Sequence, residues 1–149
     1  MQYMHSDITG AIIEAFYDVY NTLGSGFLEK VYENALAHEL RKRGHTVSQQ
    51  AAISVMYDGV VAGEYYADLV IDDAIVVELK AVEGLAREHE AQLVNYLKAS
   101  CFEVGLLLNF GPRAEVRRRI FETARTAKAS APPSPALVKH GRTVTDKDP

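Results

Sequence analysis

The stretch FEVGLLLNFG, residues 102–111, is a near-continuous apolar run of strand length. A strand with one solvated face alternates apolar and polar residues, so an unbroken run is expected of a strand buried on both faces. Such a strand needs a sheet around it and helices packed on that sheet, and the rest of the chain supplies both. Ser6 reads as the N-cap of a first helix. Ile8, Ile12, Ala15, Phe16, Val19 and Leu23 recur along one face, and Gly24 ends it. A second helix follows a tight glycine turn. Its apolar positions are Phe27, Val31, Ala35, Leu36 and Leu40, with Arg41, Lys42 and Arg43 in the last turn and Gly44 after it.

Strands come next. TVSQQAAISVMY alternates loosely and runs into Asp58-Gly59, a strong hairpin signal. VVAGEYYADLVI returns, DDA turns the chain again, and IVVELKAV forms a third strand. EGLAREHEAQLVNYLKAS reads as a helix with Leu85, Ala91, Leu93, Val94 and Leu97 on its apolar side. The apolar run is the fourth strand. AEVRRRIFETA fits a helix or a last edge strand, and the β-formers Val116, Ile120 and Phe121 favour the strand. The predicted order is α-α-β-β-β-α-β, with an extra edge strand left open, in one α/β domain over residues 1–125. From residue 126 the composition shifts to Ala, Pro, Ser and charge, and 126–149 reads as a disordered tail.

Charge narrows the function classes. Residues 1–110 hold 7 Lys/Arg against 16 Asp/Glu, a net of −9, while residues 111–149 hold 9 against 4, a net of +5. The acidic body argues against a protein that coats nucleic acid nonspecifically. The basic end leaves room for a local phosphate contact, with a solvated segment as the plain alternative. No run of about 18 apolar residues exists, so no membrane span is expected. MQYMHSDITG is not read as a secretory leader. Cys101 is the single cysteine, which excludes an internal disulfide framework, fits a reducing cytoplasm and reads as a small packing residue.

The charged residues inside the second hairpin are harder to place. Asp68, Glu78 and Lys80 interrupt strongly apolar flanks, DLVI and IVVEL. A turn centred near Asp73 pairs Ile71 with Ile75, Val70 with Val76 and Leu69 with Val77, and so sets Asp68 beside Glu78. Directly opposed residues have Cβ atoms about 4.5–5.5 Å apart. Two carboxylates at that spacing repel, and burial forces a proton onto one of them. A divalent cation between them removes the conflict, since it takes oxygen ligands. Lys80 shares the face of Glu78 and is placed to steady a water or a phosphate oxygen. The alternative is that Asp68 ends a strand in water and Glu78 and Lys80 form a surface pair. Elsewhere, Gln92 and Tyr96 lie four apart on one helix face, suited to orienting a water and donating or stacking. Glu29 is a candidate third carboxylate, Tyr32 a neighbour on the next turn, and Arg117 with Arg118 and Arg119 a candidate phosphate contact. His89 is weighed as a site histidine against a first-turn histidine in solvent. Tyr57, Tyr65 and Tyr66 read as packing residues.

These residues resemble a known group. Asp68 followed by Glu78-Leu79-Lys80 is similar to the D…(D/E)xK signature of the PD-(D/E)XK nuclease superfamily. Gln92-Leu-Val-Asn-Tyr96 resembles the helix motif of its exonuclease-like branch. Gly26-Phe-Leu-Glu29-Lys-Val-Tyr32 resembles the pattern of the GxxExxY proteins, a small bacterial group placed in that superfamily. Ala67 stands where the superfamily name has proline, which is not a ligand. The resemblance implies a restriction-endonuclease-like core. It implies Mg²⁺ or Mn²⁺ held by Asp68, Glu78, the Leu79 carbonyl and Glu29, with Lys80 assisting the water. Gln92 counts with the catalytic set, and Tyr32, Tyr96 and Arg117 with substrate binding. The implied activity is phosphodiester hydrolysis in nucleic acid, DNA favoured over RNA. A catalytically weak nucleic-acid-binding or regulatory module is the alternative, and a homodimer or an unidentified protein partner stays open.

Overall fold

The computed structural model describes residues 5–122. Along the chain run α1 (Ser6–Leu23), α2 (Glu29–Lys42), β1 (Val47–Tyr57), β2 (Val60–Ile71), β3 (Ile75–Lys80), α3 (Arg87–Ala99), β4 (Val104–Phe110) and β5 (Ala114–Ile120). The expected order is therefore found, with AEVRRRI as the edge strand. The first helix begins one residue off expectation: Ser6 lies inside α1, and the N-cap position falls to His5, which makes no side-chain cap. The expected tail boundary at 126 lies outside the described residues.

The five strands are ordered β1-β2-β3-β4-β5. All neighbours are antiparallel except β3 and β4, which run parallel with α3 as the crossover between them. Every residue of β4 is buried, as its unbroken apolar run requires. Leu106 and Leu108 enter a core with Ile12, Phe16, Leu36 and Leu40. Leu107 points the other way and joins Leu93, Leu97, Val70 and Val76. The sheet is thus the middle layer, with α1 and α2 on one face and α3 on the other.

The turn between α1 and α2 is stapled by Tyr32. Its hydroxyl donates to the Gly24 carbonyl at 2.5 Å and accepts from the Phe27 amide at 3.2 Å. Its ring stacks on Phe110 with centroids 4.3 Å apart. Gly26 carries φ 115°, a conformation that suits glycine, so this part of the glycine-to-tyrosine motif builds the turn.

The ribbon of β1 and β2 changes sides partway. Val47 and Gln49 lie on the α1/α2 side, Gln49 donating to Glu33 and to Asn34. Ala51, Ile53 and Val55 pack on the α3 side. In β2, Leu69 and Ile71 belong to the first core and Ala67 to the second. Strict alternation would have kept all these odd-numbered residues on one face. The switch falls at Gln50, whose φ is 52°, opposite Asp68. The register is the same on both sides of it, Gln49 with Leu69 and Ala51 with Ala67. Beyond the switch the ribbon carries Tyr57 and Tyr66, both exposed rather than packed as expected. Cys101, also expected to be packed, is exposed. No helix among the described residues is long and apolar enough to cross a membrane.

Candidate active site

Asp72 and Asp73 both adopt positive φ, 53° and 52°, and with Ala74, whose amide donates to the Ile71 carbonyl at 2.9 Å, they make the three-residue turn between β2 and β3. The pairs Leu69–Val77, Val70–Val76 and Ile71–Ile75 follow, and the ladder stops there. One step further, Asp68 and Glu78 meet as the spacing predicts, but side chains replace the backbone ladder. The Leu79 amide donates to Asp68 Oδ2 at 2.8 Å, and the Asp68 amide points to Glu78 Oε2 at 3.4 Å. The carboxylates therefore take over main-chain donors that an opened ladder would leave unmet.

Glu78 is only 5% exposed. Burial above all, and then the charge of Asp68, pushes its pKa up to about 9, with Lys80 pulling weakly the other way. Without a cation, Glu78 holds a proton at neutral pH. Tyr96 lies in the same field. Burial first, then the charges of Glu78 and Asp68, raises its pKa well above the ordinary phenol value, so its hydroxyl stays protonated. The Gln92 amide donates to that hydroxyl at 3.1 Å, which leaves the phenolic hydrogen to donate elsewhere. Tyr65 packs against the Tyr96 ring at 5.3 Å.

Lys80 is half-buried on the strand face of Glu78, and among the described residues no carboxylate is within ion-pair distance of it. The chain after it is pinned by Asn109, its partner in the parallel register. Asn109 is fully buried. Its oxygen accepts from the Val82 amide at 2.9 Å, and its nitrogen donates to the Val82 carbonyl at 3.0 Å and to Glu115 at 2.9 Å. Its sequence signal is a polar residue inside a doubly buried strand.

Other expected site residues are placed elsewhere. Glu29 is exposed at the start of α2 and does not join the carboxylate pair. Tyr32 is fully buried, and its hydroxyl is occupied in the α1–α2 turn, so it offers no surface to a substrate. Arg117 is held by Glu90 at 3.1 Å and Glu115 at 3.7 Å, with Arg119 on the same Glu90, so its charge is matched within the domain. His89 accepts the Ala86 amide through Nδ1 at 2.9 Å and so caps α3.

The carboxylate that does approach the pair from α2 is Glu33, 4% exposed. It receives Lys30 at 3.0 Å, Gln49 at 2.9 Å and Gln50 at 3.0 Å. The same Gln50 nitrogen donates to Asp68 Oδ1 at 3.1 Å. The sequence carries a signal for Glu33. It falls three, four and seven residues before Leu36, Ala37 and Leu40, on the buried stripe of α2.

A family model described as the PD-(D/E)XK nuclease superfamily matches residues 6–120, most of the chain. The chain belongs to the PD-(D/E)XK nuclease superfamily. Its mixed five-stranded sheet with three helices has the superfamily's restriction-endonuclease-like arrangement. No curated protein and no solved structure matches the chain. Membership points to metal-dependent cleavage of nucleic acid, and nucleases of this superfamily generally use divalent metals such as Mg²⁺. Among the described residues no three His, Cys, Asp or Glu side chains form a metal cage. The superfamily pair itself fits a hard cation. Two carboxylates meet at a ladder's end, and the buried one retains a proton that a cation can replace.

Proposed function

We propose that the chain is a metal-dependent nuclease that hydrolyses phosphodiester bonds at the Asp68–Glu78 pair. Asp68, Glu78 and the Leu79 carbonyl would hold Mg²⁺ or Mn²⁺. A divalent cation there supplies polarisation of the phosphoryl oxygen and a water of lowered pKa. The observation that carries the reading is the state of Glu78. A carboxyl buried against a second carboxylate, at the end of a broken ladder, costs stability and has no structural purpose that glutamine would not serve better.

The residues around the pair take distinct tasks. Lys80 brings an ammonium not matched by a carboxylate to the face where charge develops at phosphorus. Tyr96, kept protonated by its surroundings, donates a hydrogen bond to a substrate oxygen, and Gln92 fixes its direction. Glu29, Tyr32 and Arg117 are left out of this set for the reasons of placement given above. The motif from Gly26 to Tyr32 supports placing the chain among the GxxExxY proteins. DNA is the favoured substrate.

The test is cleavage of labelled DNA and RNA, single- and double-stranded, with Mg²⁺ or Mn²⁺, by the wild type and by Glu78→Ala and Lys80→Ala. Metal-dependent products that disappear in both variants are expected. Binding of the same panel without cleavage, and without a metal-induced rise in melting temperature, would replace the nuclease with a binding module.

A further inference from the structure

Asp68 has one unusual neighbour on β1. Gln50 sits in the left-handed region at φ 52°, inside a strand. A side chain other than glycine, asparagine or aspartate is uncommon there. Its position opposite Asp68 is missing from the ladder, although pairing is intact on either side. Its amide nitrogen has two hydrogens, and both are used on carboxylates: Glu33 Oε1 at 3.0 Å and Asp68 Oδ1 at 3.1 Å. With the Leu79 amide on Oδ2 at 2.8 Å, Asp68 has a donor on each oxygen. Two donors on different oxygens fix the carboxylate plane, and each oxygen keeps a further acceptor position.

We infer that Gln50 is a positioning residue of the site, a neutral bridge that ties Asp68 on β2 to Glu33 on α2 and aims the Asp68 carboxylate. The inference rests on the reading of Asp68 as a cation ligand. Its left-handed backbone is part of the same device. It turns the ribbon from the α1/α2 layer to the α3 layer at the residue opposite Asp68, so that Ile53 packs on the α3 side while Gln49 reaches α2. Removing the amide leaves Asp68 with one fixed oxygen and brings it and Glu33 together with nothing between them. Partners of this kind around a metal ligand change metal affinity by about 10- to 100-fold.

Two variants separate aiming from folding. Gln50→Gly suits the left-handed backbone and removes the amide; Gln50→Met keeps the bulk and the backbone strain and removes only the donors. Mn²⁺ binding to the full chain is measured by calorimetry, and stability by urea unfolding in chelator. The expected result is a loss of Mn²⁺ affinity of about tenfold or more in both variants, with the urea midpoint of Gln50→Gly unchanged or raised and that of Gln50→Met lowered. Wild-type affinity in Gln50→Gly, or affinity that follows stability across the two, would overturn the positioning role. Asp68→Asn is the control. If the wild type binds no Mn²⁺, or Asp68→Asn binds it equally well, the cation site fails and the role of Gln50 falls with it. If Asp68→Asn loses binding and Gln50→Gly does not, Gln50 alone is refuted.

Discussion

Glu78→Gln should stabilise the metal-free protein, by an amount that depends on pH in a defined way. The unfolded chain has Glu78 near its ordinary pKa of 4.5, and the folded chain near 9. Between those values the folded state holds a proton that the unfolded state has released. Stability is therefore fully present below 4.5 and falls as pH rises toward 9. Each pH unit is worth about 1.4 kcal/mol, so at about pH 7.5 the accumulated loss approaches roughly 4 kcal/mol. Glutamine has no proton to gain. Its oxygen accepts the Asp68 amide as Glu78 Oε2 does, and its nitrogen donates to the Asp68 carboxylate. Urea unfolding of both proteins in chelator, followed by circular dichroism from about pH 5 to 9, reads the effect, since the titrations of groups not coupled to Glu78 cancel in the difference. The variant should gain little at the acid end and up to roughly 4 kcal/mol near neutrality. A gap that stays constant across that range, or a wild type as stable at about pH 8 as at about pH 5, would refute the account of why Glu78 is buried beside Asp68.

The other expectations concern residues at increasing distance from the pair. Lys80→Met should bind Mn²⁺ as the wild type does and cleave about 100- to 1,000-fold more slowly, measured in single turnovers. Tyr32→Phe breaks the staple on the α1–α2 turn; it should lower stability by about 1–2 kcal/mol in urea and leave cleavage alone, whereas a substrate-binding role would show as lost cleavage. A β-carbon at Gly111 would overlap the Val82 carbonyl and press on the Asn109 amide. Gly111→Ala should therefore cost about 1–3 kcal/mol in urea unfolding, and slow cleavage as well because it shifts the chain just after Lys80.

The hairpin was legible because its geometry is local. Asp72 and Asp73 accept positive φ, the flanking residues are apolar without interruption, and register follows from the turn, so Asp68 and Glu78 meet where counting puts them. The doubly buried β4 was legible for the same kind of reason, its composition alone excluding an exposed face. Glu33 is less legible although it lies on the α2 stripe, because the pattern from Gly26 to Tyr32 singles out Glu29. The first three residues of α2, 29–31, are exposed, and only from Tyr32 and Glu33 onward does the helix present buried side chains. The arginine run looked like a phosphate contact because Glu90 is distant in sequence and adjacent only across α3 and β5. Gln50 had no signal. No propensity sends a glutamine into the left-handed region, and the change of sides that it produces breaks the alternation on which strand reading depends.

The two ends of β2 differ in how much extra length they can absorb. At the Asp72–Asp73 end the site begins three residues before β2 finishes, and one inserted residue would slide β3 by a position and carry Glu78 to the α1/α2 face. At the other end, Asp58 and Gly59 close a ribbon tip whose Val60 and Val61 are exposed, and eight residues, 60–67, separate it from Asp68. A tag, a fluorophore or a cross-linking residue placed at 58–59 leaves every pair near the site in register, whereas the turn at Asp72–Asp73 accepts no insertion. The ribbon tip is therefore the natural handle for attaching this chain to a surface or a reporter while its carboxylates stay in place.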